Sequence, residues 1–137
     1  MYTRATASTA CALVALALFG TLASAAVDVD LSDFDDDVMR NMDDTVKSLD
    51  SHLAMGDAQS ARIDAQTIRE GLHWAEDYFT RKGNVQRAVQ FAKQAEDLAS
   101  EVAKAAAASD LEAAQKTYDS LVRSCRACHD VYKPPDS

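Results

Sequence analysis

Cys125-Arg126-Ala127-Cys128-His129 stands eight residues before the last residue of this 137-residue chain, and no other stretch limits so tightly what the chain can be. Cysteines at this spacing followed at once by histidine form the attachment signature of c-type haem. On a helix, side chains three or four apart share a face, so Cys125, Cys128 and His129 point the same way, with Tyr132 one turn further on. Two such thiols can form thioethers to the haem vinyl groups, and the neighbouring imidazole can then reach the iron as proximal ligand. Other readings compete. A zinc site needs four N or S ligands, and His52 and His73 are isolated, with no second cysteine pair. A thioredoxin-like pair belongs at the head of a helix in a βαβ setting, whereas this one comes late in a long helical pattern. A plain disulfide remains open from the spacing alone.

Haem attachment of this kind requires export, and the other end of the chain bears on that condition. Residues 1–4 carry one positive side chain, residues 10–20 are almost wholly apolar, and Ala23-Ser24-Ala25 offers small side chains for cleavage. This is the layout of a secretory signal peptide, and the expected cut follows Ala25. Its apolar run falls short of the ~20 residues that span a bilayer, although an uncleaved anchor is the competing reading. Cys11 lies inside that run and leaves with the leader.

Residues 26–137 then form one small domain, whose only cysteines are the pair in the motif. The whole chain has 14 basic and 22 acidic side chains, and losing Arg4 with the leader takes the formal charge from −8 to −9. That balance argues against nucleic acid or an anionic membrane surface as partner and favours a basic docking surface. No second apolar run suggests membrane insertion after the leader is removed.

Hydrophobic periodicity divides the domain into four. An acidic lead-in precedes Ser32, an N-cap candidate with Asp35 three residues on. Phe34, Val38, Met42, Val46, Leu49 and Leu53 then recur at helical spacing as far as Met55. Gly56-Asp57 breaks the pattern. A second helix is expected over residues 57–82, with Ala61, Ala65, Ile68, Leu72, Ala75 and Phe79 inward and Gly83 as its stop. Asn84 is the expected cap of a third, whose stripe is Val85, Ala88, Ala92, Ala95, Ala99, Val102 and Ala106. Ser109 and Glu112 read as a capping box for a fourth, where Leu111, Ala114, Tyr118 and Leu121 lead in phase to Cys125 and Cys128. Pro134-Pro135 ends the helical part. Four helices with short connections predict an all-α, antiparallel four-helix bundle with covalent haem near its C-terminus.

Such a bundle resembles the cytochrome c′ family, the class II c-type cytochromes. The similarity is closest over residues 109–133, where Cys-x-x-Cys-His-Asp-x-Tyr-Lys is a specific pattern; the first three helices match in layout and length. The resemblance implies one covalent haem c on Cys125 and Cys128, His129 as proximal iron ligand, and a basic residue, here Lys133, along the proximal face. It also implies that a first-helix residue faces the distal side of the iron. Met39 falls at that position, with Met42 one turn later as the rival ligand; core packing by both is the remaining reading. Many members carry arginine one turn before the distal residue. This chain has Asp35 there, which puts a first-helix salt bridge to the propionates in doubt, and nothing in the spacing assigns that role to Arg40.

Methionine opposite histidine suits electron shuttling, so the expected function is one-electron transfer in the periplasm with a redox partner protein. The alternative is a five-coordinate, high-spin iron that binds nitric oxide or carbon monoxide. An enzyme such as a peroxidase wants a positioned acid or base near the open iron face, and the first helix offers no persuasive one. Many relatives pair through their first two helices, so a homodimer stays open. His52 lies more than three turns beyond Met39, a poor place for a distal ligand. Trp74 suits packing near haem and ordinary core packing equally.

Overall fold

The computed structural model describes residues 29–133. The leader, Cys11, the cut after Ala25 and Pro134-Pro135 lie outside the described residues. Four helices follow one another: α1 Asp36–Met55, α2 Ala58–Lys82, α3 Gln86–Ala107 and α4 Leu111–Tyr132. Connections of two or three residues force each helix to run back along its predecessor, giving the expected antiparallel bundle. No strand occurs among the described residues, and none of their helices is long and apolar enough to cross a membrane.

The inward stripes of α2 and α3 are those that periodicity predicts, and all of their members are buried. Alanine dominates both stripes, so the two backbones approach closely, and α2–α3 is the most extensive contact in the bundle. Bulk comes from Leu49, Ile68, Val102 and Leu121, the largest fully buried side chains. Burying each such side chain contributes about 1.5–3 kcal/mol. In α1 the stripe is less deeply covered: Met42, Leu49 and Leu53 are buried, whereas Val38 and Val46 are half-buried. The reason lies across from them. α1 and α4 touch far less than any other neighbouring pair, leaving a loose seam along one side of the bundle.

Three helix starts differ from expectation. α1 begins one turn later than Ser32 would set it, because Asp35 is the cap and accepts the Asp37 N–H at 3.0 Å. Residues 31–34 are instead spent on a turn closed by Phe34 N–H to the Leu31 carbonyl, which seats Phe34 among Trp74, Tyr78 and Phe79. Asn84 does not cap α3. It takes a φ of 57° to turn the chain, and buried Val85 occupies the cap position with no side-chain bond. At α4 the cap is Asp110, accepting the Ala113 N–H at 3.0 Å. Ser109 has φ 58° and its N–H closes α3 on the Ala106 carbonyl, so the Ser109–Glu112 box does not form. Asp57 and Gly83 do begin and end α2 as read from the sequence.

The core has two lobes. One gathers Met42, Leu49, Leu53, Ile68, Val102 and Leu121. The other is aromatic, with Tyr78, Phe79 and Tyr132 buried and Phe34, Trp74 and the lead-in residues Val29 and Leu31 packed on them. Asp33 fastens that lead-in, accepting from Tyr78 Oη at 2.6 Å and from Lys82 Nζ at 2.7 Å.

Candidate cofactor-attachment site

The second half of α4 carries the motif, and its helical phase divides the two cysteines between the lobes. Cys125 packs on the aliphatic lobe and Cys128 on the aromatic one. The pair therefore lies where the lobes meet. Met39 of α1 is half-buried and packs against both lobes. Met42 is buried within the aliphatic lobe and fills a notch over Gly71 of α2.

Both thiols are free and half-buried. Burial, the largest effect on each, pushes Cys125 above the ordinary thiol range and Cys128 to about 11, with the Cys125 charge adding to the second shift. They are thus held as protonated thiols. That is the opposite of the depressed pKa that makes a redox-active Cys-x-x-Cys nucleophilic, and it weighs against the thioredoxin-like reading. His129 is exposed at the bundle surface. Partial desolvation, then the nearby Lys133 ammonium, lowers its pKa, while Asp43 of α1 and Asp130 oppose the shift. A neutral imidazole keeps a ring nitrogen lone pair available for a metal.

The two other histidines are placed elsewhere. His52 Nδ1 lies 2.7 Å from Asp64 Oδ2, tying α1 to α2, and His73 faces α3 through Glu96. Arg40 pairs with Asp37 in the first turn of α1, Asp35 is occupied as a cap, and Arg123 donates to Ser120 Oγ. The Lys133 backbone N–H closes α4 on the His129 carbonyl. Trp74 belongs to the aromatic lobe that also receives Cys128. Among the described residues the one trio of closely convergent metal-ligating atoms is His73, Glu76 and Glu96, not the motif residues, which weighs against a zinc site built on Cys125 and Cys128.

Ser124 escaped the sequence reading. It is buried one residue before Cys125, and its Oγ has no hydrogen-bond partner. Leaving such a group unsatisfied costs about 1–3 kcal/mol, so an orphan hydroxyl here marks a place that a bound group or a water completes. Free inward thiols, a neutral imidazole, the orphan hydroxyl and the loose α1–α4 seam together fit a covalently held haem. The sequence signal for Ser124 was only its position, three residues after Leu121 on the inward stripe.

A family model described as Cytochrome C' matches residues 74–133, from Trp74 in α2 through α3 to the end of the motif helix. No curated protein and no solved structure matches the chain.

Proposed function

We propose that this chain, whose residues 74–133 match the cytochrome c′ family, is an exported one-electron carrier in which His129 and Met39 would hold a haem c iron. Cys125 and Cys128 would hold the group as thioethers, and the haem supplies the reversible Fe(III)/Fe(II) couple. The observation that carries this reading is the junction of the two lobes, where Cys125, Cys128 and Met39 are all packed. Met39 is favoured over Met42 because Met42 is committed to the notch at Gly71, whereas Met39 is half-buried and packs against both lobes. A thioether opposite imidazole stabilises the reduced iron and raises the potential.

The chain's own residues supply the rest. The buried faces of Leu121 and Tyr118 continue the wall on which Cys125 sits, and the aromatic lobe closes the other end with Tyr132 and Phe79. Both walls put apolar and aromatic side chains beside the two cysteines, while His129 remains exposed. Lys133 lies close enough to His129 to lower its pKa, a proximity that supports the proximal-face role expected for it. The acidic surface, with a formal charge of −8 over the full chain, suits docking to a basic redox partner. Residues 1–25 would direct export to the periplasm and be removed, leaving residues 26–137 as the mature domain.

The test is an optical spectrum of purified protein in both oxidation states. A six-coordinate low-spin spectrum, with the weak far-red band of methionine on ferric iron, supports the reading. A five-coordinate high-spin spectrum that shifts with carbon monoxide would replace it with the gas-binding alternative, in which Met39 and Val38 merely line an apolar distal side.

A further inference from the structure

We propose that His73, Glu76 and Glu96 form a binding site for one divalent first-row transition ion of the Zn2+ class, on the outer face of α2 and α3. The site is separate from the motif on α4 and does not depend on the function assigned to it. His73 and Glu76 are three apart on α2, hence on one face, and Glu96 reaches them from α3. One ligand atom from each lies within 4.8 Å of the others. Around a tetrahedral ion bound at about 2.0–2.2 Å, donors stand roughly 3.3–3.6 Å apart; His73 Nδ1 and Glu96 Oε2 are already 3.5 Å apart, and a side-chain rotation of Glu76 completes the set.

The surroundings of these donors argue further for a site than for a chance meeting. Glu96 turns Oε1 toward Arg69 Nη1 at 3.6 Å and Oε2 toward His73 Nδ1 at 3.5 Å. Both separations exceed a normal hydrogen bond. Arg69 thus orients the carboxylate while leaving the second oxygen free to ligate. On the other side of the ring, His73 Nε2 faces Asp77 Oδ2 at 4.0 Å. With a metal on Nδ1, the Asp77 carboxylate stands on the Nε2–H side, where closing in from 4.0 Å would give the hydrogen bond that fixes the tautomer of ligating histidines. Glu76, Glu96 and Asp77 set against Arg69 leave a formal charge of −2, which a divalent ion cancels. The site is open to solution on the His73 side, whose side chain is 60% exposed, while the Glu96 side chain is only 17% exposed. One nitrogen and two oxygens suit Zn2+ and leave a position for water.

The experiment uses haem-loaded protein freed of metals by a chelator and titrated with zinc sulfate by calorimetry near neutral pH. Saturable uptake of one equivalent is expected. His73→Ala and Glu96→Gln should each weaken it at least tenfold, and Asp77→Asn by about tenfold, the usual effect of losing an outer partner. His52→Ala should leave it unchanged. With Cu2+ in place of Zn2+, the electron paramagnetic resonance spectrum should carry coupling to one imidazole nitrogen, lost in His73→Ala but not in His52→Ala. An unaltered haem spectrum in each variant shows that the bundle is intact. No saturable uptake, or His73→Ala binding like wild type, or equal loss in His52→Ala, overturns the proposal.

Discussion

Met42 sits in the space that Gly71 leaves in α2: a Cβ at position 71 would stand 2.5 Å from the Met42 sulfur and 2.6 Å from its Cγ. Alanine is the better helix former by about 1 kcal/mol, but overpacking a filled core costs about 1–3 kcal/mol. Gly71→Ala is therefore expected to lower stability in urea denaturation. In Gly71→Ala/Met42→Ala the clash is gone, so the cost of adding the methyl should vanish or change sign when Met42 is already alanine.

The same contact separates the two methionines of α1. Met39→Ala should convert a low-spin ferric spectrum to a high-spin one that responds to carbon monoxide, with little loss of stability because the side chain is only half-buried. Met42→Ala should keep the low-spin spectrum and lower stability by about 2–5 kcal/mol, the range for truncating a buried methionine. An unchanged spectrum in Met39→Ala would remove it as a ligand.

Attachment through both thiols predicts an intact mass equal to the chain from residue 26 plus one haem. Cys128→Ser should retain haem through a single bond, and Cys125→Ser/Cys128→Ser should lose it on acid–acetone extraction. Haem resisting extraction from the double variant would contradict the assignment.

In haem-free chain the same thiols should be poor nucleophiles. Burial holds Cys128 at about 11, so alkylation by iodoacetamide at about pH 8 should be slow in the folded form and should speed up in urea, where the thiol returns toward its ordinary value near 8.5. Above that ordinary value the folded form binds more protons than the unfolded one, so the haem-free chain should lose stability as pH rises toward 11.

Asp33 gives a pH dependence of opposite sense. Hydrogen bonds from Lys82 and then Tyr78 depress its carboxyl from 3.8 to about 2. A depressed acid contributes stability that is complete above its unfolded pKa and is lost as pH falls through the folded one. The wild type should exceed Asp33→Asn in urea midpoint at neutral pH, and the two should converge as pH drops from about 4 to about 2. A constant gap across that window would show that the clasp to Lys82 and Tyr78 does not hold the lead-in.

Four helices, their inward stripes and the phase that carries Leu121 on to Cys125 are legible in the sequence, because periodicity near 3.6 records which side of each helix must leave water. The Cys-x-x-Cys-His run is legible for a related reason, since it is local and lies within one helix. Caps were less so. Ser32, Asn84 and Ser109 are good capping residues by type, yet the neighbours Asp35, Val85 and Asp110 hold the positions. Which residue caps depends on how the connection is spent, and residues 31–34 are spent on seating Phe34 against α2.

Pairings between helices belong to the tertiary structure alone. The spacing of α1 puts Met42 on the inward stripe but does not tell what it meets there; that is decided because Gly71, 29 positions further on, has no side chain where Met42 needs room. Nor does the sequence reveal that α1 and α4 form the loosest seam, that Ser124 is buried without a partner, or that Glu96 comes to face His73 and Glu76. Such facts depend on the relative rotation of packed helices, which is set by the fit of all four stripes at once and is written in none of them singly.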